Sequence, residues 1–172
     1  MALISAFPRL GRLAAVGAAV ALAAGGATAG VAAGATQAPA ASSPRTCALG
    51  DLYVSMGTKD FGAGQVYWPI KFTNTSTTAC SLHGFPGVSV LNTAHQQIGA
   101  AATRTGPTHS VTVSPAHTVT AVIHTTNGPL GGPCRPTSTY IRVYPPGSFH
   151  SVLVPAALSV CSNDFTITAV GA

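Results

Sequence analysis

The feature that most constrains this chain is alternation on short runs. Residues 65–74 read QVYWPIKFTN, so Val66, Trp68, Ile70 and Phe72 fall on one side of an extended chain and Gln65, Tyr67, Lys71 and Thr73 on the other. Successive side chains of a strand point to opposite faces, so this pattern predicts a half-buried β-strand. The same period recurs over Leu52–Met56, Val88–Leu91, Ile98–Ala102, Ser110–Val113, His117–His124, Tyr140–Tyr144 and Phe165–Val170, about eight strands, with a short apolar run at Ser151–Val154 beside them. Breakers separate them: Gly57…Gly62-Ala63-Gly64, Gly84-Phe85-Pro86-Gly87, Asn127-Gly128-Pro129, Gly131-Gly132-Pro133 and Pro145-Pro146-Gly147. No segment beyond the N-terminal region offers a long helical stripe. Two packed antiparallel sheets follow. The inward sets include Leu52, Val54, Met56, Val88, Val90, Val119, Ala121, Ile123, Ile141, Val143, Phe165, Ile167 and Ala169. Trp68, the only Trp, is expected as a core anchor. Pro69 cannot donate to a ladder, which predicts an edge or a bulge there.

Charge is scarce. Charged residues make up 6% of the chain, with 8 Lys+Arg, 3 Asp+Glu and no Glu, against about a quarter in an average soluble domain. A coiled coil or charged helical bundle is excluded, because exposed helix faces need many more Glu and Lys. A charged disordered tail is excluded for the same reason.

The N-terminus reads as an export signal over residues 1–29. Arg9 and Arg12 precede the uncharged apolar run Leu13–Ala24, and Ala27-Thr28-Ala29 supplies small residues before a cut; Ala33-Gly34-Ala35 is a second possible cut. The arginines are not adjacent, which favours the general export route over the twin-arginine one. No Cys follows the apolar run until Cys47, so a lipoprotein is not expected. The competing reading is an uncleaved anchor, since Leu13–Ala35 carries no charge and is long enough to span a bilayer. It is mostly Ala and Gly, however, and would bury little apolar area in lipid. Residues 30–46, GVAAGATQAPAASSPRT, read as a disordered Ala/Pro/Ser-rich linker, and 47–172 as the domain.

Cys47, Cys80, Cys134 and Cys161 all lie beyond the signal. None shows C-x-x-C spacing, so two structural disulfides are favoured over a metal or redox site. Four cysteines allow three connectivities. The expectation is the sequence-local pairing Cys47–Cys80 and Cys134–Cys161, each worth about 3.5 kcal/mol by loop closure.

Several motifs together resemble a known family. They are Cys47 near the domain start, FTNTSTTACSLHGFPGVSVL at Phe72–Leu91, VSPAHTVTAVI at Val113–Ile123, Cys134, IRVYPPG at Ile141–Gly147, Val154-Pro155, and Cys161 before the last strand. In this order they resemble the secreted domain-of-unknown-function family four-two-three-two of high-GC Gram-positive bacteria. One departure is Ala116-His117, where the family usually carries Gly after the Pro. The resemblance implies an exported, disulfide-bonded, immunoglobulin-like β-sandwich and no enzyme activity.

Catalytic signatures are missing. Asp51, Asp60 and Asp164 are scattered, and there is no G-x-S-x-G elbow and no H-E-x-x-H motif. His83, His95, His109, His117, His124 and His150 show no i, i+2 pair that would align two ligands on one strand face. They read as exposed histidines rather than metal ligands, and no cofactor is expected. Arg45, Lys59, Lys71, Arg104, Arg135 and Arg142 are dispersed, which argues against nucleic acid. Asn74-Thr75-Ser76 matches a glycosylation sequon but reads as a turn after the strand.

Alternation sets all four tyrosines, Tyr53, Tyr67, Tyr140 and Tyr144, outward, and Tyr140-x-Arg142-x-Tyr144 is expected as an exposed stripe. Aromatic positions flanked by Arg suit a glycan or a peptide. The plainer reading is that these tyrosines cover sheet surface and pair across strands. The expected function is therefore a secreted, non-catalytic binding or structural module, with a cell-wall glycan or an extracellular protein as partner. The membrane is a partner only if the signal is uncleaved. The alternative is a protease inhibitor presenting the Asn127–Pro136 loop, with Arg135 beside Cys134. Its glycines argue against a preorganised loop.

Overall fold

The computed structural model of the chain describes residues 43–171. The expected signal at 1–29 and most of the linker lie outside the described residues. A 3-10 turn at Leu49–Asp51 leads into eleven strands: β1 (Leu52–Met56), β2 (Asp60–Gly62), β3 (Gln65–Asn74), β4 (Cys80–His83), β5 (Gly87–Leu91), β6 (Thr103–Thr105), β7 (Ser110–Val113), β8 (Thr118–Thr126), β9 (Tyr140–Tyr144), β10 (Val152–Pro155) and β11 (Phe165–Thr168).

The fold is an all-β sandwich of the immunoglobulin-like kind. The larger sheet runs β1-β3-β8-β11-β6, with β2 also paired to β3; a three-stranded sheet runs β10-β9-β5, and β4 pairs β7. All pairs are antiparallel except β6 with β11, which is parallel. The inward sets converge on one cluster: Val54, Ile70, Phe72, Ala121, Ile123 and Ile167 from the larger sheet pack with Val88, Val90, Ile141, Val143 and Val154 from the smaller, and with Leu82 and Val113. The disulfides are Cys47–Cys80 and Cys134–Cys161, as expected.

The sequence reading missed three strands, each for a physical reason. β2 sits among glycines that read as a breaker. β4 has only Cys80 and Leu82 as its inward pair, both fully buried. β6 is Thr-Arg-Thr, exposed throughout, and exists only because β11 pairs with it. The expected strand at Ile98–Ala102 is not one. That segment runs beside β5, donating Ile98 N–H to Val90 O (2.9 Å) and Ala102 N–H to Val88 O (2.9 Å). Gly99 between them takes φ +74°, which breaks the extended run.

Trp68 is half-buried at the margin of the core rather than at its centre. The cause lies next to it. β1 pairs with residues 70–74 of β3 and β2 with residues 65–67, so Trp68 and Pro69 occupy the gap between the two partners. Gly57 N–H donates to Pro69 O (2.8 Å), but Pro69 has no N–H to return. The Trp68 indole Nε1–H donates to Gly57 O instead (2.8 Å). The indole replaces the missing ladder donor, which explains how β3 carries a proline.

Asn74, fully buried at the end of β3, ties three segments together. Its Nδ2 donates to Val113 O (2.8 Å) and Thr78 O (2.9 Å), and its Oδ1 accepts from Ser76 N–H (2.9 Å) and Ser76 Oγ (2.7 Å). The backbone of Asn74 also accepts from Ala116 N–H (2.8 Å) and donates to His117 O (2.9 Å). With every polar atom engaged inside the fold, Asn74-Thr75-Ser76 is a turn and not an accessible sequon. Ser114–His117 is the facing turn, closed by His117 N–H to Ser114 O (3.0 Å). Pro115 precedes Ala116, which takes φ +62°, a conformation that favours glycine. The turn thus holds an alanine in a strained backbone state.

Candidate functional site

β9 is the middle strand of the three-stranded sheet, so its outward residues stand at the centre of that sheet's outer face. Register places Tyr140 opposite Leu91 and Pro155, Arg142 opposite Ser89 and Leu153, and Tyr144 opposite Gly87. Tyr140, Arg142 and Tyr144 do share one face. They are half-buried rather than the exposed stripe expected, because the His95 turn covers part of Tyr140 and Arg142 and the neighbouring strand part of Tyr144.

His95 meets two of them and Gly87 the third. The His95 ring meets Tyr140 edge-on, centroids 4.9 Å apart. Arg142 Nη2 donates a long hydrogen bond to His95 O (3.4 Å). His95 takes φ +59° in a turn held by Asn92, whose Oδ1 accepts Gln96 N–H (2.9 Å), and this turn brings it over the sheet. Tyr144 lies over Gly87: a Cβ there would stand 3.3 Å from Tyr144 Cβ and 3.4 Å from its Cδ2. Glycine at 87 lets the ring settle against the strand opposite. Among the described residues Arg142 makes no ion pair; Arg45 pairs with Asp51 (2.6 Å), and His124 Nδ1 lies 3.5 Å from an Asp164 carboxylate oxygen.

The more exposed tyrosines lie elsewhere. Tyr53 is 63% exposed and Tyr67 42%, both on the outer face of the larger sheet. Tyr67 tilts against His124 (5.0 Å between centroids), and His124 Nε2 hydrogen-bonds Gln65 Oε1 (2.6 Å). No group of three or more His, Cys, Asp or Glu is placed to hold a metal ion among the described residues.

The Asn127–Pro136 loop does not project its basic residue. Arg135 Nη2 donates to Asn163 Oδ1 (2.8 Å), and its guanidinium lies directly over Gly99. Gly131 N–H donates to Ser162 Oγ (3.0 Å), and Leu130, 65% exposed, is the loop's prominent side chain.

One cleft was not anticipated. Lys59, Phe61, Thr126, Asn127, Thr137, Leu158 and Ser159 line a space of about 200 Å³. The Lys59 ammonium sits 4.0 Å over the Trp68 ring and donates to Ala157 O (2.9 Å). Burial pushes this amine below its ordinary pKa. The sequence signal was slight: one Lys and one Phe inside a stretch that otherwise reads as a breaker.

Two disulfides point to an oxidising, extracytoplasmic compartment. Among the described residues no helix is long and apolar enough to cross a membrane. No curated protein and no solved structure matches the chain. One family model does, over residues 47–171, a span running from the first bridging cysteine to the last described residue. The chain therefore belongs to the family described as Domain of unknown function (DUF4232).

Proposed function

We propose that this protein is a secreted, non-catalytic binding or structural module of the cell envelope or surrounding medium, and that the outer face of β9 makes its contact. The observation that carries this reading is Tyr144 laid over Gly87 in one row with Arg142, a half-exposed cation that has no acidic partner among the described residues. An aromatic ring fixed against a strand is ordered before a ligand arrives, so stacking on it costs little entropy. A guanidinium beside it adds directional donors. Cell-wall glycan fits both features, and an extracellular protein is the other candidate partner.

The test is co-sedimentation with purified Gram-positive cell-wall material. The protein is expected to be retained, and Tyr144→Ala and Arg142→Gln together are expected to abolish retention while the urea midpoint stays within about 0.5 M of the parent's. Retention unchanged by both substitutions removes the β9 face from consideration. Mass spectrometry of the native N-terminus and of co-purifying material tests secretion and partner together. The inhibitor alternative has weaker support, since Arg135 is folded onto Gly99 and Asn163. An inhibition assay against trypsin-like and subtilisin-like proteases checks it directly.

A further inference from the structure

The cleft beside Lys59 is separate from the β9 row and has the makings of a small-ligand site. Its volume is about 200 Å³, below the roughly 300 Å³ at which clefts begin to enclose drug-sized ligands, so it has room for a single ring. Its chemistry is mixed in a specific way. Phe61 is an aromatic wall, 57% exposed on a short edge strand. Asn127 is exposed, and Thr137 Oγ and Ser159 Oγ share one hydrogen bond (2.7 Å), so the rim offers both donors and acceptors. An apolar face beside hydroxyls and an amide matches a sugar, which has C–H faces and a hydroxyl rim.

Lys59 adds the sign of the charge. Its ammonium has three donors, and one is used, on Ala157 O. The Trp68 ring fixes it from one side. It forms no ion pair among the described residues. The neighbouring Asp60 turns its Oδ1 to Phe61 N–H (2.8 Å) and forms no ion pair with Lys59. That same bond engages the Phe61 N–H, so an incoming peptide cannot take it to extend the sheet from β2. The cation is held in position with donors to spare.

We propose that this cleft binds a carboxylate-bearing sugar, with the carboxylate on Lys59 Nζ and one face of the ring on Phe61. Trp68 is the only Trp in the chain and lies against Lys59, so its fluorescence reports on the site directly. The experiment titrates the protein with glucuronate, glucose and acetate, following Trp68 emission and amide NMR shifts. Glucuronate is expected to shift Trp68 emission and the amides of Phe61, Asn127 and Ser159, with glucose and acetate each at least about tenfold weaker. Lys59→Met keeps the stem over the indole and is expected to weaken glucuronate at least about tenfold. Phe61→Ser, at an exposed edge position, is the second variant and is expected to weaken it too, so the test stands even if Lys59→Met fails to fold. Tyr144→Ala is expected to leave the glucuronate response unchanged, which separates this site from the β9 reading. No response to glucuronate at tens of millimolar overturns the proposal. So does an equal response to acetate, which would mark an adventitious anion, or an undiminished response in Phe61→Ser.

Discussion

Replacing Asn74 by Ala probes the most connected side chain in the fold. The carboxamide makes four hydrogen bonds: to Val113 O and Thr78 O from Nδ2, and from Ser76 N–H and Ser76 Oγ to Oδ1. At about 1 kcal/mol net for each, the loss sums to about 4 kcal/mol. Ser76 is half-exposed and its single O–H is shared between Asn74 Oδ1 and Thr78 O (2.9 Å), so that bond counts for less, and water or Thr78 O recovers it when the carboxamide is lost. The expected cost is about 3 kcal/mol, a large fraction of the 5–15 kcal/mol that holds a typical domain together. With a urea slope of about 1.5 kcal/mol per molar, the midpoint falls by about 2 M. The assay is equilibrium urea unfolding with both disulfides intact, read by Trp68 fluorescence and by far-UV circular dichroism. Thr75→Ala is the control: its exposed hydroxyl makes one long bond to Asp51 O (3.2 Å), and its removal is expected to cost less than about 1 kcal/mol. Asn74→Ala within 1 kcal/mol of the parent would refute the reasoning, because it would mean that the buried carboxamide is not what joins β3, β7 and the turn between them.

Three further outcomes are expected. Ala116→Gly relieves φ +62° and is expected to stabilise by about 1 kcal/mol, raising Tm by a few degrees; an unchanged or lowered Tm in calorimetry counts against a strained turn. The Arg45 guanidinium and the Ala48 N–H hold the Asp51 carboxyl down to about 2, below its ordinary 3.8. A depressed carboxyl stabilises the fold above its free value, and that contribution disappears as pH falls through about 2. Asp51→Asn is therefore expected to flatten the urea midpoint against pH between 4 and 2, most clearly at low salt because Arg45 is open to water; parallel curves would exclude the pair from acid stability. Trp68→Phe removes the donor that serves Gly57 O and is expected to cost about 1 kcal/mol beyond the change in packing. A Gly57→Ala control is unsuitable, since a Cβ there would crowd Pro69 (3.3 Å); the comparison is with Trp68→Phe in a Pro69→Val background, where the backbone N–H is restored and the penalty should shrink.

The parts legible in the sequence were those that a local pattern dictates. Val66, Ile70 and Phe72 face inward because extended backbone alternates its side chains and only one face of β3 meets the core. The sequence-local cysteine pairing agrees with the bridges formed. Alternation also assigned Tyr140, Arg142 and Tyr144 to one outward face. It could not say how far each is covered. That depends on His95, which reaches Tyr140 from a turn 45 residues away, and on Gly87, which matters only because register sets it opposite Tyr144.

What tertiary structure alone decided follows the same division. β6 is a strand by partnership, because Thr-Arg-Thr has no apolar side to bury and pairs only where β11 offers an edge. Trp68 leaves the centre of the core because its indole supplies the bond that Pro69 cannot, a need that arises only once Gly57 lies alongside. Lys59 becomes a candidate ligand contact because folding sets Trp68 beneath it and Ala157 beside it, nearly a hundred positions on in the chain. Periodicity reads which way a side chain points. What it meets there is set by pairing between distant segments, and no local window contains that.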